Sequence, residues 1–80
     1  MTERNKRKGG DAMRTNLKVF RVQHKLSQAE MAERIGCQRT TYTAVENGAR
    51  NGRLTFWNAL QSAFNLPDTE IWGLMKIDED

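Results

Sequence analysis

The chain has 80 residues, a formal net charge of +3 and 38% hydrophobic residues, which allow one small domain with a modest core. Its single cysteine excludes an intramolecular disulfide and a cysteine-rich zinc site. The sequence contains no run of about 18 apolar residues, so no membrane-spanning helix is predicted. No apolar stretch follows the basic N-terminus, so no signal peptide is predicted, and we expect a soluble, cytoplasmic protein without metal or cofactor.

The charge is unevenly distributed along the chain. Residues 1–53 contain 12 Lys and Arg against 5 Asp and Glu, a balance of +7, and residues 54–80 contain 1 Lys against 5 Asp and Glu, a balance of −4. A basic first part fits a protein that presents one face to a polyanion. A general solubility bias is the competing interpretation.

Residues 1–12 are polar, charged and poor in apolar side chains, and two glycines interrupt them further. We expect a disordered basic tail here. Two interpretations stay open for its cationic side chains, which are either an arm that grips phosphate or a groove, or an ordinary solvated tail. These side chains are Arg4, Lys6, Arg7 and Lys8.

The domain proper is predicted to span residues 13–75, and its first helix residues 13–25. The start of this helix stays open within several residues, because Thr15 or Asn16 can cap it. Arg14 is expected to be solvated or near phosphate, and the lone His24 to lie on the surface at the end of the helix. The apolar positions near helical spacing are Leu17, Phe20, Val22 and Leu26.

A second helix is predicted from Gln28 to Ile35. Ser27 followed by Glu30 makes a capping box, and Gly36 suits the left-handed position that ends a helix. The free N–H groups at the start of this helix suit a phosphate, and Gln28 can reinforce that contact or serve only as a first-turn residue. The inward face holds Met31, Ala32 and Ile35.

A third helix is predicted over residues 38–47, with Tyr42 and Val45 inward and Gly48 as the residue after its end. Cys37, just before it, is interpreted as a small buried hydrophobe. Small polar side chains remain for the outward face. Two short helices joined by a glycine-containing turn are typical of a DNA-binding helix-turn-helix.

The stretch SQAEMAERIG…YTAVENG resembles the helix-turn-helix of phage repressor, Cro and Xre-like transcriptional regulators. Ala32 lies where the two helices of that motif cross, and Gly36 lies in its turn. Gln38 departs from the usual Ser or Thr cap, and Tyr42 from the usual aliphatic residue. The resemblance covers roughly residues 17–74 and implies an all-α, five-helix lambda-repressor-like domain that binds double-stranded DNA.

The resemblance also implies which side chains of the third helix, the recognition helix, contact DNA. The arginine fork matches guanine O6 and N7 together, although a phosphate-only contact remains the alternative for Arg39. Threonines can bond a base edge, and alanine can touch a thymine methyl. The implied base-reading positions are Arg39, Thr40, Thr43 and Ala44, and the implied positions near phosphate are Thr41 and Asn47.

An ion pair between Arg21 and Glu46 is a further implication of the resemblance, and it would tie the first helix to the recognition helix. Two independent surface charges are the alternative. The loop GARNGR at residues 48–53 follows the recognition helix, so Arg50, Asn51 and Arg53 are expected to contact phosphate. A plain exposed turn is the competing interpretation.

Two more helices are predicted, over residues 54–64 and 68–74, with Asn65 ending the first and Pro67 preventing its continuation. Residues 76–80 are expected to be an acidic tail, frayed at residues 78–80. The apolar face of the fourth helix is assigned to Leu54, Trp57, Leu60, Ala63 and Phe64, and that of the fifth to Ile71 and Leu74.

Trp72, Met75 and Ile77 exceed what the core of such a domain needs. In the family the last helix often forms a two-fold contact, so a homodimer on a palindromic operator is expected, with a monomer as the alternative.

We therefore expect a DNA-binding regulator, most simply a repressor, and no enzyme, because no catalytic set of residues is recognisable. Two rival functions remain. One is an antitoxin that binds a protein toxin through the tails and the Trp72 region, and the other is a helix-turn-helix module that binds only proteins.

Overall fold

The computed structural model describes residues 13–78, and the regular structure within that range is entirely helical. The five-helix, all-α prediction is confirmed. The helices are α1 (Thr15–Gln23), α2 (Gln28–Ile35), α3 (Arg39–Glu46), α4 (Leu54–Phe64) and α5 (Asp68–Met75). The predictions for residues 1–12, Glu79 and Asp80 lie outside the described residues.

The start and end of α2 follow the signals in its sequence. The hydroxyl of Ser27 accepts a hydrogen bond from the backbone N–H of Glu30 at 3.0 Å, and the Ser27 N–H donates to the Glu30 carboxylate at 2.8 Å. Gly36 then ends the helix at φ +82°, a left-handed conformation that glycine adopts without a steric penalty. The capping box and the glycine terminator are both confirmed.

The core is formed by apolar side chains from all five helices. Ala32, which the resemblance placed where α2 and α3 cross, is 1% exposed. Trp57 is buried and its indole N–H donates to the Asn51 carbonyl at 3.2 Å. The buried apolar residues are Leu17, Phe20, Met31, Ala32, Ile35, Tyr42, Val45, Phe56, Trp57, Leu60, Ile71 and Leu74.

The sequence prediction was wrong for two side chains that it assigned to the core. Val22 is 54% exposed and Leu54 is 74% exposed, whereas Phe56, which the sequence did not single out, is 7% exposed. At about 3.6 residues per turn, Val22 lies on the face of α1 opposite Phe20, and Leu54 lies well away from the side that carries Phe56. Cys37 is half-buried against the edge of the core.

The last of the described residues is bonded to the start of the described range. The backbone N–H of Asp78 donates to the Met13 carbonyl at 2.9 Å, and its carboxylate accepts from the N–H and the hydroxyl of Thr15. The prediction that residues 78–80 form a frayed tail is therefore wrong at Asp78. A hydrogen-bonded pair of distant segments leaves no local signal in a sequence.

None of the helices within residues 13–78 has both the length and the apolar character that crossing a bilayer requires.

Candidate nucleic-acid interface

A buried carboxylate, that of Glu46, joins the first three helices. Arg21 Nε donates to Glu46 Oε2 at 2.8 Å, so the residues that the resemblance paired form an ion pair in the structure. Tyr42 Oη donates to the same oxygen at 2.6 Å, and Gln28 Nε2 donates to Oε1 at 2.9 Å. Glu46 on α3 thus receives one partner from α1, one from α2 and one from its own helix.

The charges within this cluster are set by the same contacts. Burial alone would raise the pKa of Glu46, but the hydrogen bonds from Arg21, Tyr42 and Gln28 outweigh it and hold that pKa below its ordinary value. Burial, and then the neighbouring carboxylate, raise the pKa of Tyr42. Glu46 is therefore ionised, and Tyr42 stays protonated as its donor.

Gln28 carries the cluster from the core to the surface. While one Nε2 hydrogen is directed at Glu46, the Gln28 Oε1 accepts a hydrogen bond from Thr43 Oγ1 at 3.2 Å. An amide nitrogen has two hydrogens, so one of them stays available to a ligand. Because the hydroxyl of Thr43 donates its hydrogen to Gln28, Thr43 can offer a ligand only its oxygen lone pairs and its methyl group.

Positions 39, 40, 43 and 44 lie on one outward face of α3, because the helix repeats about every 3.6 residues. Arg39 and Thr40 are exposed, whereas Thr43 and Ala44 are half-buried, and Thr43 contacts Gln28 at the start of α2. Thr41 is directed elsewhere, into a groove of about 800 Å³ between the α2–α3 turn and α4. The structure therefore brings the four predicted base-reading residues together and separates Thr41 from them.

The loop after α3 is held in one conformation by backbone contacts. The N–H groups of Ala49 and Arg50 both donate to the Ala44 carbonyl, at 2.9 and 3.2 Å. Gly52 adopts φ +80°, and a Cβ there would lie 2.7 Å from the indole nitrogen of Trp57, so glycine is needed twice over. This loop leaves the side chains that the sequence assigned to phosphate, Arg50, Asn51 and Arg53, exposed, as is Asn47 at the end of α3.

The position of Arg14 differs most from the sequence prediction. It was expected to be solvated or near phosphate, yet it is 3% exposed. Its Nη1 donates to the carbonyls of Val45 at 2.7 Å and Arg50 at 2.9 Å, and its Nη2 donates to that of Asn51 at 3.3 Å. Its Nε donates to the Met75 carbonyl at 2.9 Å. Because backbone carbonyls occur in every residue, no residue type marked these partners.

Within residues 13–78 no cluster of three or more His, Cys, Asp or Glu side chains is arranged to hold a metal ion.

Comparison with known proteins identifies relatives of this chain. A model of the helix-turn-helix domain matches residues 12–71. One uncharacterized HTH-type transcriptional regulator of Archaeoglobus fulgidus is 30% identical over 69 residues, covering 76% of this chain and 99% of the relative. A second regulator of the same description and organism is 33% identical over 60 residues, covering 75% of this chain and 84% of the relative.

Proposed function

The chain belongs to an Xre-like helix-turn-helix domain family, and on this premise we propose that it is a sequence-specific regulator of transcription that binds double-stranded DNA. The observation that carries the proposal is the contact between Gln28 and Thr43, which locks the start of α2 beside the outward face of α3. A helix N-terminus that suits phosphate and a row of base-reading side chains are thereby fixed at one surface.

In this proposal α3 lies in the major groove. Arg39, the longest exposed side chain of its first turn, is directed to a guanine, and Thr40 to the neighbouring base edge. Thr43 contributes a methyl group or an oxygen acceptor, and Ala44 contacts a thymine methyl. Arg21, Tyr42 and Glu46 fix the angle of α3 and do not themselves touch DNA.

The phosphate contacts are proposed to surround this face. Gln28 uses its remaining amide hydrogen, and the exposed Asn47, Arg50, Asn51 and Arg53 follow the backbone on the far side of α3. Thr41 lines the same groove beside α4 as Arg50, Asn51 and Arg53, so it is kept in this group.

We further propose a homodimer formed through α5. Trp72 is 64% exposed and Met75 is 39% exposed on that helix, so a second copy would cover apolar surface that the domain leaves in solvent. A two-fold pair would place two recognition helices about 34 Å apart on a palindromic operator. Repression by blocking promoter access, in the cytoplasm at the nucleoid and without catalysis, is the simplest action for such a pair.

The first test is a selection from random duplex DNA by the purified protein, followed by salt titration of the enriched sequence. A palindromic consensus, bound with a steep dependence of affinity on salt, is the expected result. Enrichment of no sequence would contradict the proposal.

The second test is Arg39→Ala. This substitution should weaken binding to the selected duplex by ~1–3 kcal/mol more than it weakens binding to a random duplex of the same length. A bidentate arginine discriminates between bases, and this discrimination would be lost. Arg34→Ala is the matched control, since Arg34 lies over the ring of Phe64, outside the proposed interface. Equal losses on both duplexes would reduce Arg39 to a phosphate contact.

A second candidate function rests on the exposure of Trp72. An antitoxin would use this tryptophan to bind a protein toxin while α3 binds the operator. Trp72→Ala that abolishes capture of a co-purifying partner, with DNA affinity unchanged for the isolated chain, would favour the antitoxin over a homodimer through α5.

A further inference from the structure

Arg14 is a buried cation, and no carboxylate of the described residues is paired with it. Its side chain makes four hydrogen bonds, all to backbone carbonyls, and it forms no ion pair with a carboxylate of residues 13–78. Burial lowers its pKa, but an arginine remains charged in a protein because its ordinary pKa is so high. Within residues 13–78 the positive charge is therefore stabilised by the dipoles of backbone carbonyls.

Two of these dipoles belong to helix ends. The Val45 carbonyl lies in the last turn of α3, and the Met75 carbonyl belongs to the last residue of α5. The C-terminal end of a helix carries a partial negative charge, so one guanidinium caps the C-terminal ends of two helices. The backbone N–H of Arg14 adds a bond of 2.9 Å to the Glu46 carbonyl at the same end of α3.

The other two carbonyls belong to the loop at residues 48–53. Arg50 and Asn51 present their carbonyls inward to Arg14 while their side chains stay exposed. The Asn51 carbonyl is also bonded by the indole of Trp57, whose ring lies 5.5 Å from the Arg14 guanidinium carbon. The inner side of the loop is thus held by one cation and the aromatic ring beside it.

We propose that Arg14 is a positioning residue for DNA binding, which fixes the loop of residues 48–53 against the ends of α3 and α5 so that Arg50 and Asn51 meet the DNA backbone. The proposal rests on the DNA-binding function proposed above. It assigns no DNA contact to Arg14 itself. The planar fork is required, because a lysine ammonium cannot reach carbonyls on three separate segments in fixed directions.

The variants are Arg14→Met, Arg14→Lys and, as the matched control, Arg34→Met. The control removes the same charge from an arginine that also lies over an aromatic ring but faces solvent. Arg14→Lys keeps the charge and loses the fork. It also serves as the second variant if Arg14→Met does not fold.

The first measurement uses the free protein. Amide hydrogen exchange of Ala49 and Arg50 should accelerate about tenfold in Arg14→Met relative to amides of α2, because the loop loses its charged anchor. The exchange rates in Arg14→Lys should be close to those in Arg14→Met, and the exchange rates in Arg34→Met should be close to those of the wild type. Unchanged protection of Ala49 and Arg50 in both Arg14 variants would overturn the proposal.

The second measurement is a double-mutant cycle for binding to the selected duplex. Arg14→Met should weaken binding about tenfold, reduce the salt slope, and remove most of the further effect of Arg50→Ala, because a displaced loop no longer brings Arg50 to phosphate. Its effect should add independently to that of Arg39→Ala. Arg14→Lys at wild-type affinity would show that charge alone matters and would overturn the positioning role.

The outcomes separate this proposal from the one on which it rests. A wild-type chain that enriches no duplex overturns the proposed function, and the DNA role of Arg14 with it. A wild-type chain that binds specifically, with additive effects of Arg14→Met and Arg50→Ala, overturns the role of Arg14 alone.

Discussion

Two arginines near the beginning of the domain are withdrawn from water, and the protein stabilises their charges by opposite means. Arg21, with 12% of its side chain exposed, is bonded to the carboxylate of Glu46. Arg14, 3% exposed, has carbonyls as its only hydrogen-bond acceptors within the described part of the chain. The first site neutralises a charge with a charge, and the second distributes it over helix ends and a loop.

The difference matters because the two sites fail in different ways. Removing one member of a buried ion pair leaves the other charge unpaired in the interior. Removing a cation from a group of carbonyls leaves only neutral acceptors, which water can reach where the loop is exposed. The ion pair therefore controls how the helices pack, and the carbonyl site controls the conformation of the loop.

The largest effect is expected for Glu46→Ala. It should lower the free energy of unfolding by ~3–5 kcal/mol, because Arg21 and the hydroxyl of Tyr42 both lose their acceptor. Urea denaturation followed by circular dichroism measures this. The double variant Arg21→Met/Glu46→Ala should recover part of the loss, and a double variant with additive losses would show that the two side chains act independently.

A smaller effect is expected for Arg14→Met than for Arg21→Met under the same denaturation assay. Arg21→Met strands the buried Glu46 carboxylate, whereas Arg14→Met strands carbonyls only and should cost about 1.5–3 kcal/mol. If Arg14→Met is the more destabilising variant, the distinction between the two sites is wrong.

The smallest effect is expected for the dependence of the free energy of unfolding on acidic pH. The folded-state pKa of Glu46 lies below the ordinary value of 4.5, so its contribution is fully present above that pH and is lost as the pH falls through the lower, folded value. As the pH falls below 4.5, the wild type should therefore lose more stability than Glu46→Gln, in which residue 46 has no group to titrate. Parallel stability curves for the two proteins would mean that the carboxylate titrates normally.

The same contrast explains what the sequence could predict. The capping box at Ser27, the terminators Gly36 and Asn65, and the helical spacing of the core are local signals, and they located α2, α4 and the ends of the motif. Arg21 and Glu46 are charged residues at positions that the family resemblance had already paired.

The misses depended on tertiary contacts. The role of Arg14 depends on carbonyls from three distant segments, which any residue types could have supplied. Phe56 replaced Leu54 in the core because α4 begins at Leu54 with a particular rotation, which helical spacing alone leaves free. That Arg39, Thr40, Thr43 and Ala44 read bases stays a prediction.

The hydrogen bond between Met13 and Asp78 has a topological consequence. With 2.9 Å between the nitrogen of Asp78 and the oxygen of Met13, the domain is almost a closed ring. The chain therefore enters this domain at Met13 and leaves it at Asp78 at neighbouring points. Residues 13–78 are accordingly a suitable scaffold for circular permutation, in which a short linker joins Asp78 to Met13 and new termini open elsewhere.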